Sequence, residues 1–346
     1  MPPLENIKDL NYNILASPLW THIVKEEELM KKILAILLAM MMLIGMMSFA
    51  SAEEEKPLIG ILAPATTHGW VGGVTYYAQQ KAEELELNYK LLTSENADEM
   101  SSQIDQLIDL GAKAIVVWPQ FTGVEQAAER ALEKGIIIYN FDMIIEVDEK
   151  YDDLMYVLTG DNKGMGIEGA KYVAEKLDGK GNVVILNKPA AGNVNDDRTN
   201  GFKETIADIA PDIEIIAEVA SDFTRDRGLT DMTDTLTAYE QIDAVFSLDD
   251  ETSIGALQAI LEAKRTDVKA ITGGGGCQEY FKMMLAEDYQ GIWVSSATYS
   301  PSMIASCVEN VVKVLEGEEI EHTIVDPTTI VDRDNAESFL DENTPY

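Results

Sequence analysis

The side chains able to do chemistry in this chain cluster directly after short aliphatic runs. They are Pro64-Ala65-Thr66-Thr67-His68-Gly69-Trp70, Trp118-Pro119-Gln120-Phe121, Asp142, Asn195-Asp196-Asp197-Arg198, Asp222-Phe223 and Asp249-Asp250-Glu251, with a glycine run at 273–276. Carboxylates outnumber cations in this set, and aromatic residues stand beside them. A carboxylate accepts hydrogen bonds from two neighbouring hydroxyls at once, and an aromatic face covers the C–H face of a sugar ring or polyol chain. The chemistry this predicts is capture of an uncharged polyhydroxylated molecule. A phosphate or a sugar acid would be repelled.

Each of these residues also has a plainer reading. Asp249 or Asp250 can cap the helix that follows, and Asp196 and Asp197 can cap one starting at Arg198 and pair with its guanidinium. Trp118 follows a buried run and fits a core as well as a cleft. His68 reads as a neutral loop residue with local hydrogen bonds rather than a base. Asp142 has the weakest alternative, because it directly follows the run at 136–141 and sits where that strand's end opens. Clustered acids raise the question of calcium, which takes about six to eight oxygens from a compact loop; neither acidic stretch makes one. His22, His68 and His322 are scattered, without an HExxH or a zinc spacing. The glycine run at 273–276 follows a strand and precedes a helix, as a phosphate loop would, but it lacks the GxGxxG spacing. No P-loop Lys-Ser/Thr follows the glycines at 160–166, and no GxSxG occurs. No catalytic residue, metal site or cofactor is expected.

For such residues to meet, the elements between them must bring strand ends together. Aliphatic runs predict strands at 58–63, 89–93, 114–118 and 136–141, alternating with helices at 70–85, 97–110 and 124–134. The helix at 97–110 carries Met100, Ile104, Leu107 and Ile108 on one face, and Gly111 and Gly135 stand where helices should end. A second series starts near Leu158, with helices at 162–177, 198–209, 224–238, 251–263 and 278–287 and strands at 182–186, 213–219, 244–247, 269–272 and 292–296. A last long helix covers 301–315. Continuous aliphatic strands alternating with helices predict parallel sheets covered on both faces. The pattern at 114–141 is echoed at 244–272, which predicts an α/β protein of two doubly wound, Rossmann-like lobes. In such sheets ligands bind beyond the carboxyl ends of the strands, so two facing lobes would share one cleft.

Composition bounds the partners. The 346 residues suffice for two domains that each bury a core. With 61 acidic against 26 basic side chains the formal charge is -35, which excludes nucleic acid and argues against docking on anionic lipid. Cys277 and Cys307 are too few for a disulfide framework and allow at most one bridge. The segment 30–52 reads as a signal peptide: Lys31 and Lys32, an apolar stretch at 33–47, then Ala50-Ser51-Ala52 at a cleavage site. The apolar stretch is short of the ~20 residues a membrane span needs, and no cysteine follows it to carry lipid. The protein is therefore expected in the periplasm, the cell envelope or the medium. Residues 1–29 read as an untranslated or disordered extension, since Lys25-Glu26-Glu27-Glu28 can be encoded by a purine run containing AGGAGG, a ribosome-binding sequence just before Met30. Losing residues 1–52 removes five acids and four bases and leaves a charge of -34.

Several local matches make the chain resemble the ribose-type (type I) periplasmic sugar-binding proteins of ABC transporters. They are Gly135-Ile136-Ile137-Ile138-Tyr139-Asn140-Phe141-Asp142, Asp161-Asn162 opening a helix, Arg198-Thr199-Asn200-Gly201-Phe202, Asp222-Phe223, Ala244 to Asp250 with Gly255-Ala256-Leu257, and Val314-Leu315-Glu316-Gly317-Glu318 ending the last long helix. The likeness runs from about Leu58 to Val331. It implies two lobes, 57–157 with 299–325 and 158–298 with 327–340, joined by a hinge that the chain crosses three times. The crossings fall near 157–159, 296–299 and 325–327. It implies no enzyme but a monomeric receptor that closes on a small carbohydrate or polyol and passes it to ABC permease subunits of the membrane. The ligand positions it implies are His68, Trp70, Val71, Asp142, Met143, Asp196, Phe223, Asp249 and Thr298; Trp118 joins them from the strand-end reading. Met143 and Asp196 stand where the family often carries arginines, and the usual aspartate after Thr272 is lost in the glycine run. These departures point away from ribose and toward a sugar alcohol or a deoxy or branched sugar. The alternatives are a sensor presenting a sugar or autoinducer-2 to a chemoreceptor or sensor kinase, and a carbohydrate-acting enzyme. A cytosolic regulator with the same lobes would need a helix-turn-helix where the signal segment lies.

Overall fold

In the computed structural model, residues 29–38, 40, 56–65, 69–286, 291–341 and 344–346 are described. The extension 1–29 and the signal segment 30–52 lie largely outside them; residues 29–38 are helical. Among the described residues no helix is long and apolar enough to cross a membrane. The stretch up to and including Lys56 forms a separate unit, and 57–346 forms the second, described below.

Strand β1 (Ile59–Pro64) is buried along its whole length, which only a strand covered on both faces can be. Ile59 and Ile61 join one apolar cluster and Leu62 another on the opposite face. The first cluster is filled by α1 (Gly69–Glu84), through Val74, Ala78 and Ala82. The second is filled by α2 (Ala97–Asp109), through Met100, Ile104 and Leu107, with α3 (Glu125–Glu133) beside it. Asn96 caps α2, its side-chain oxygen accepting from the Glu99 N–H at 2.9 Å. Around β1 run β2 (Tyr89–Ser94), β3 (Ala114–Val117), β4 (Ile137–Phe141) and β5 (Met155–Gly160), all parallel. Gly111 and Gly135 end α2 and α3 at φ of 75° and 74°, as the spacing predicts.

The second lobe repeats the plan. Its sheet holds β6 (Lys180–Asn187), β7 (Asp212–Ala220), β8 (Ala244–Ser247), β9 (Ala270–Gly274) and β10 (Trp293–Ala297). One face is covered by α4 (Asn162–Lys176) and α5 (Asn193–Ile209), the other by α6 (Arg225–Ala238), α7 (Asp250–Glu262) and α8 (Gln278–Leu285). Helix α9 (Met303–Leu315) returns to the first lobe and buries Met303, Ile304, Cys307, Val308 and Val311 against it. Strand β11 (Thr323–Asp326) then joins the first sheet beside β5, and β12 (Ile330–Asp332) joins the second, antiparallel to β10. The strand orders are β11-β5-β4-β3-β1-β2 and β12-β10-β9-β8-β6-β7. Two doubly wound α/β lobes result, as the alternation predicts.

Several details differ from the sequence reading: β11 and β12 were not expected as strands, and the passages between the sheets lie one to three residues later than expected. Residues 155–160 form β5, paired between β4 and β11 in the first sheet, so the second series begins after Gly160 and not near Leu158. Helix α5 starts at Asn193, not Arg198, with Gly192 as its N-cap and no side-chain cap, so Asp196 sits in its first turn, Asp197 follows it, and neither caps the helix. Helix α8 ends at Leu285, two residues short of the expected 287. Cys277 and Cys307 are both free and buried.

The chain passes between the sheets at 160–162, 298–302 and 326–330, and the three passages are joined to one another. The Asp161 N–H donates to the Asp326 carbonyl at 2.9 Å, and Thr298 exchanges bonds with Thr328 and Thr329, each 2.9 Å. Gly160 lies flat against the Tyr299 ring, where any Cβ would overlap it.

Candidate functional site

The carboxyl ends of both sheets open on one cleft of about 800 Å³, within the range of small-molecule sites. The first lobe lines it with Trp70 and Val71 from α1, Trp118, Gln120 and Phe121 after β3, and Asp142 and Met143 after β4. The second lobe contributes Lys188, Val194, Arg198, Asp222, Phe223, Arg225, Asp249, Glu251 and the Gly274–Gly275 turn, with Tyr299 from the second passage and Tyr346 from the end of the chain.

Asp142 is 6% exposed, and its backbone takes a left-handed φ of 62°. Oδ2 accepts from Trp118 Nε1 at 3.1 Å, and Oδ1 accepts from the Tyr299 hydroxyl. Burial pushes the Asp142 carboxyl above its usual range; the bonds from Tyr299 and Trp118 and the nearby Arg198 charge pull the other way. Phe223, across the cleft, is the other lining non-glycine residue with positive φ, at 64°. Conformations of this kind cost about 1–3 kcal/mol and cluster at binding sites.

Tyr299 stands at the centre. Its carbonyl accepts from Trp70 Nε1 at 2.6 Å, and its hydroxyl accepts from Asn162 Nδ2 at 3.1 Å while donating to Asp142. The Arg198 guanidinium lies 4.6 Å over its ring. Trp70 stacks on Phe141 at 6.0 Å and meets Trp118 edge-on at 5.1 Å, so an aromatic wall backs the first lobe's half of the cleft.

Arg198 is buried. Nε donates to Asn162 Oδ1 at 2.8 Å and Nη1 to the Leu248 carbonyl at 2.7 Å, which leaves Nη2 without a protein partner among the described residues. The approach of α4 to α5 places it there. Gly166 lies against the Arg198 carbonyl and Gly201 against that of Lys163, and a Cβ on either would overlap backbone. Gly228 and Gly255 let α6 and α7 cross in the same way, which sets Phe223 and Arg225 beside Asp249 and Glu251. Arg225 pairs with Glu251 and, at 2.7 Å, with Glu279. Lys188 donates to the Asp222 carbonyl at 3.1 Å and covers the Phe223 ring at 4.7 Å.

Asp249 caps α7, Oδ1 accepting from the Thr252 N–H at 3.0 Å, while the buried Oδ2 has no partner among the described residues. Burial raises its pKa to about 6. It is therefore both a cap and a cleft residue. Asp250 lies fully buried behind it, its Oδ2 accepting from Gly276 N–H at 2.9 Å, Cys277 N–H at 2.8 Å and Ser296 Oγ at 2.9 Å; burial raises this carboxyl to about 7. The N–H groups with which the glycine run could have held a phosphate are thus taken by a carboxylate.

Of the residues singled out in the sequence, Trp70, Val71, Trp118, Asp142, Met143, Phe223 and Asp249 come together in the cleft. His68 lies outside the described residues. Asp196 is exposed, accepts from Asn195 Nδ2 at 3.0 Å, and does not line the cleft, because the early start of α5 places it on a helix surface. Thr298 is held in the second passage by Thr329. The sequence reading left the cleft short of cations. The fold brings three to it, Lys188, Arg198 and Arg225, against five carboxylates. Arg198 was read only as a partner for Asp196 and Asp197, and Tyr299 and Tyr346 were not singled out. Arg198 stood in a quoted motif, and Tyr299 lies two residues past the end of β10, close to the strand-end position that marked the others.

Residues 59–319 match the family described as periplasmic binding protein domain. The chain is 28% identical over 297 residues, 84% of its own length and 81% of the relative's, to a xylitol-binding protein of Mycolicibacterium smegmatis. It is 26% identical over 300 residues to a ribose import binding protein of Haemophilus influenzae, covering 85% and 97% of the two chains. A crystal structure of a galactofuranose binding protein superimposes with a TM-score of 0.72 at 26% identity, covering 84% of this chain and 100% of that one. Sheet order, shared cleft and these likenesses agree: the chain belongs to the periplasmic binding protein family.

Proposed function

We propose that this protein binds a small uncharged carbohydrate or sugar alcohol between its lobes and delivers it to the membrane subunits of an ABC transporter. The observation that carries this reading is the set of buried polar groups on one aromatic-walled cleft: Asp142 held by Trp118 and Tyr299, Arg198 with Nη2 uncommitted, and Asp249 with Oδ2 uncommitted. An uncommitted donor and an uncommitted acceptor suit a molecule whose hydroxyls give and receive hydrogen bonds. With three cations against five carboxylates, the lining carries no positive excess to hold an anion. The likeness to xylitol-, ribose- and galactofuranose-binding proteins supports the same class of ligand.

The lobes close about the passages at 160–162, 298–302 and 326–330. Closure brings both lobes onto one ligand, and affinity comes from contacts made only in the closed state. Both Asp142 oxygens are engaged by protein donors, which suits a binding role over proton transfer. The protein acts as a monomer outside the cytoplasm, exported by the segment 30–52. A thermal-shift and calorimetric panel of xylitol, ribose, allose, myo-inositol and a deoxysugar, with a sugar phosphate as contrast, tests the reading. Binding of at least one uncharged member without turnover is expected. Binding of the phosphate alone, or release of a product, would overturn it.

A further inference from the structure

Besides the three backbone passages, a short stretch at the end of the chain touches both lobes. After β12 the chain stays on the second lobe, where Gln278 donates to the Phe339 carbonyl at 3.1 Å and accepts from the Asp341 N–H at 2.7 Å. Tyr346 is 7% exposed and packs into the second lobe's apolar cluster with Cys277, Tyr280 and Phe281. Its hydroxyl oxygen would lie 2.7 Å from a Cβ on Gly275, so the bare Gly275 backbone makes room for it. Its other side meets the first lobe, where its Cβ would lie 3.6 Å from a Cβ on Gly73 of α1. One turn further along α1, the Tyr77 hydroxyl donates to Thr344 Oγ1. That oxygen is fixed in turn by Tyr346, accepting from its N–H at 3.4 Å and donating to its carbonyl at 3.2 Å. Trp70, at the start of α1, packs against the clusters of both lobes.

Tyr346 also lines the cleft beside Gly274 and Gly275. A ring pinned between α1 and the Gly275 turn must either move with one lobe or resist their separation. We propose that Tyr346, held to the first lobe through Thr344 and Tyr77, ties the lobes across the cleft and is a specificity-determining wall of it, limiting opening and so the size of ligand admitted. The selection part rests on the binding reading above; the tie does not.

The test is a distance measurement on the full, ligand-free chain. Spin labels at the exposed positions 102 on α2 and 208 on α5, introduced as Ser102→Cys and Asp208→Cys, report the spacing of the lobes; the native thiols are buried. Tyr346→Ala in this background should lengthen and broaden the distance distribution. Tyr77→Phe, which removes one hydroxyl and keeps the ring, should shift it in the same direction by less, and it keeps the test open where Tyr346→Ala fails to fold. Distributions that coincide with the parent's in a folded variant would overturn the tie. In a second arm, the carbohydrate panel is extended with maltose. Tyr346→Ala should bind the preferred monosaccharide-sized ligand about tenfold more weakly and gain on maltose relative to it; an unchanged ranking would overturn the selecting role. Should the parent bind no member of the panel, the binding reading fails, while the distances still decide the tie.

Discussion

Replacing Tyr299 with phenylalanine removes one hydroxyl from the point where both lobes and the hinge passages meet. The ring still covers Gly160 and still lies under the Arg198 guanidinium, so the change isolates the hydroxyl's hydrogen bonds, two close ones and a long one of 3.5 Å with Thr159 Oγ1. Asp142 Oδ1 loses its donor and Asn162 Nδ2 loses its acceptor. A bond to a charged group is worth about 1.5–3 kcal/mol and a neutral one about 0.5–1.5; a water entering from the cleft can replace part of this. The ligand-free variant should therefore lose about 2–3 kcal/mol near pH 7.5. The loss should depend on pH with a definite sign. Burial already raises the Asp142 pKa, and the Tyr299 hydroxyl is the strongest group pulling it back. Removing that hydroxyl raises it further, so the folded variant holds its proton more tightly than the unfolded chain does. Its deficit against the parent should be smallest below about pH 4, where Asp142 is protonated in both states, and should grow as pH rises through the raised value. Urea denaturation of both proteins at pH 4.5 and 7.5 measures this. A deficit equal at the two pH values, or none at pH 7.5, would refute the placement of Tyr299 as the donor that pulls the Asp142 pKa down.

Arg198→Met keeps the bulk near Tyr299 but removes a buried cation that lowers the pKa of both Asp142 and Asp249; it should cost about 3–5 kcal/mol by denaturation, as for a broken buried charge network. Asp249 and Asp250, raised to about 6 and about 7, bind their protons more tightly folded than unfolded. Their contribution to stability is then full below about pH 4 and lost as pH rises to 7. Asp250→Asn should flatten that slope in a pH series of melting curves, and an unchanged slope would count against it. Gly166→Ala forces a methyl onto the Arg198 carbonyl and should destabilise by about 1–3 kcal/mol as an overpacked contact. It should also weaken ligand binding, because α5 carries Arg198; full affinity would separate the helix crossing from the site.

How much of this was legible in the sequence follows from where the signals lie. Strand β1 and helix α2 announce themselves because burial imposes a pattern: an unbroken aliphatic run for one, Met100, Ile104 and Leu107 at helical spacing for the other. Asp142 was readable because it ends such a run. Strand β11 was not, since most of its residues are exposed and it is held only along its edge by pairing with β5; β12 has three residues. Arg198 looked like a surface partner for Asp196 and Asp197 because the start of α5 bears no capping side chain. What turns it inward is the approach of α4 to α5 at Gly166 and Gly201, a tertiary fact. The left-handed backbone at Asp142 and Phe223 carries no glycine to mark it. Tyr299 and Tyr346 act through contacts more than 100 residues away in sequence, with Asp142 for one and Gly73 of α1 for the other, which no local pattern encodes.

The central claim is that Asp142 sits in a ligand cleft shared by two lobes. Calorimetry of the protein and its Asp142→Ala variant against the uncharged carbohydrate panel tests it most directly, with melting curves to show that the variant folds. The account predicts tight binding of at least one sugar or sugar alcohol by the parent, and loss of that binding by a folded variant. Unchanged affinity in Asp142→Ala would contradict it.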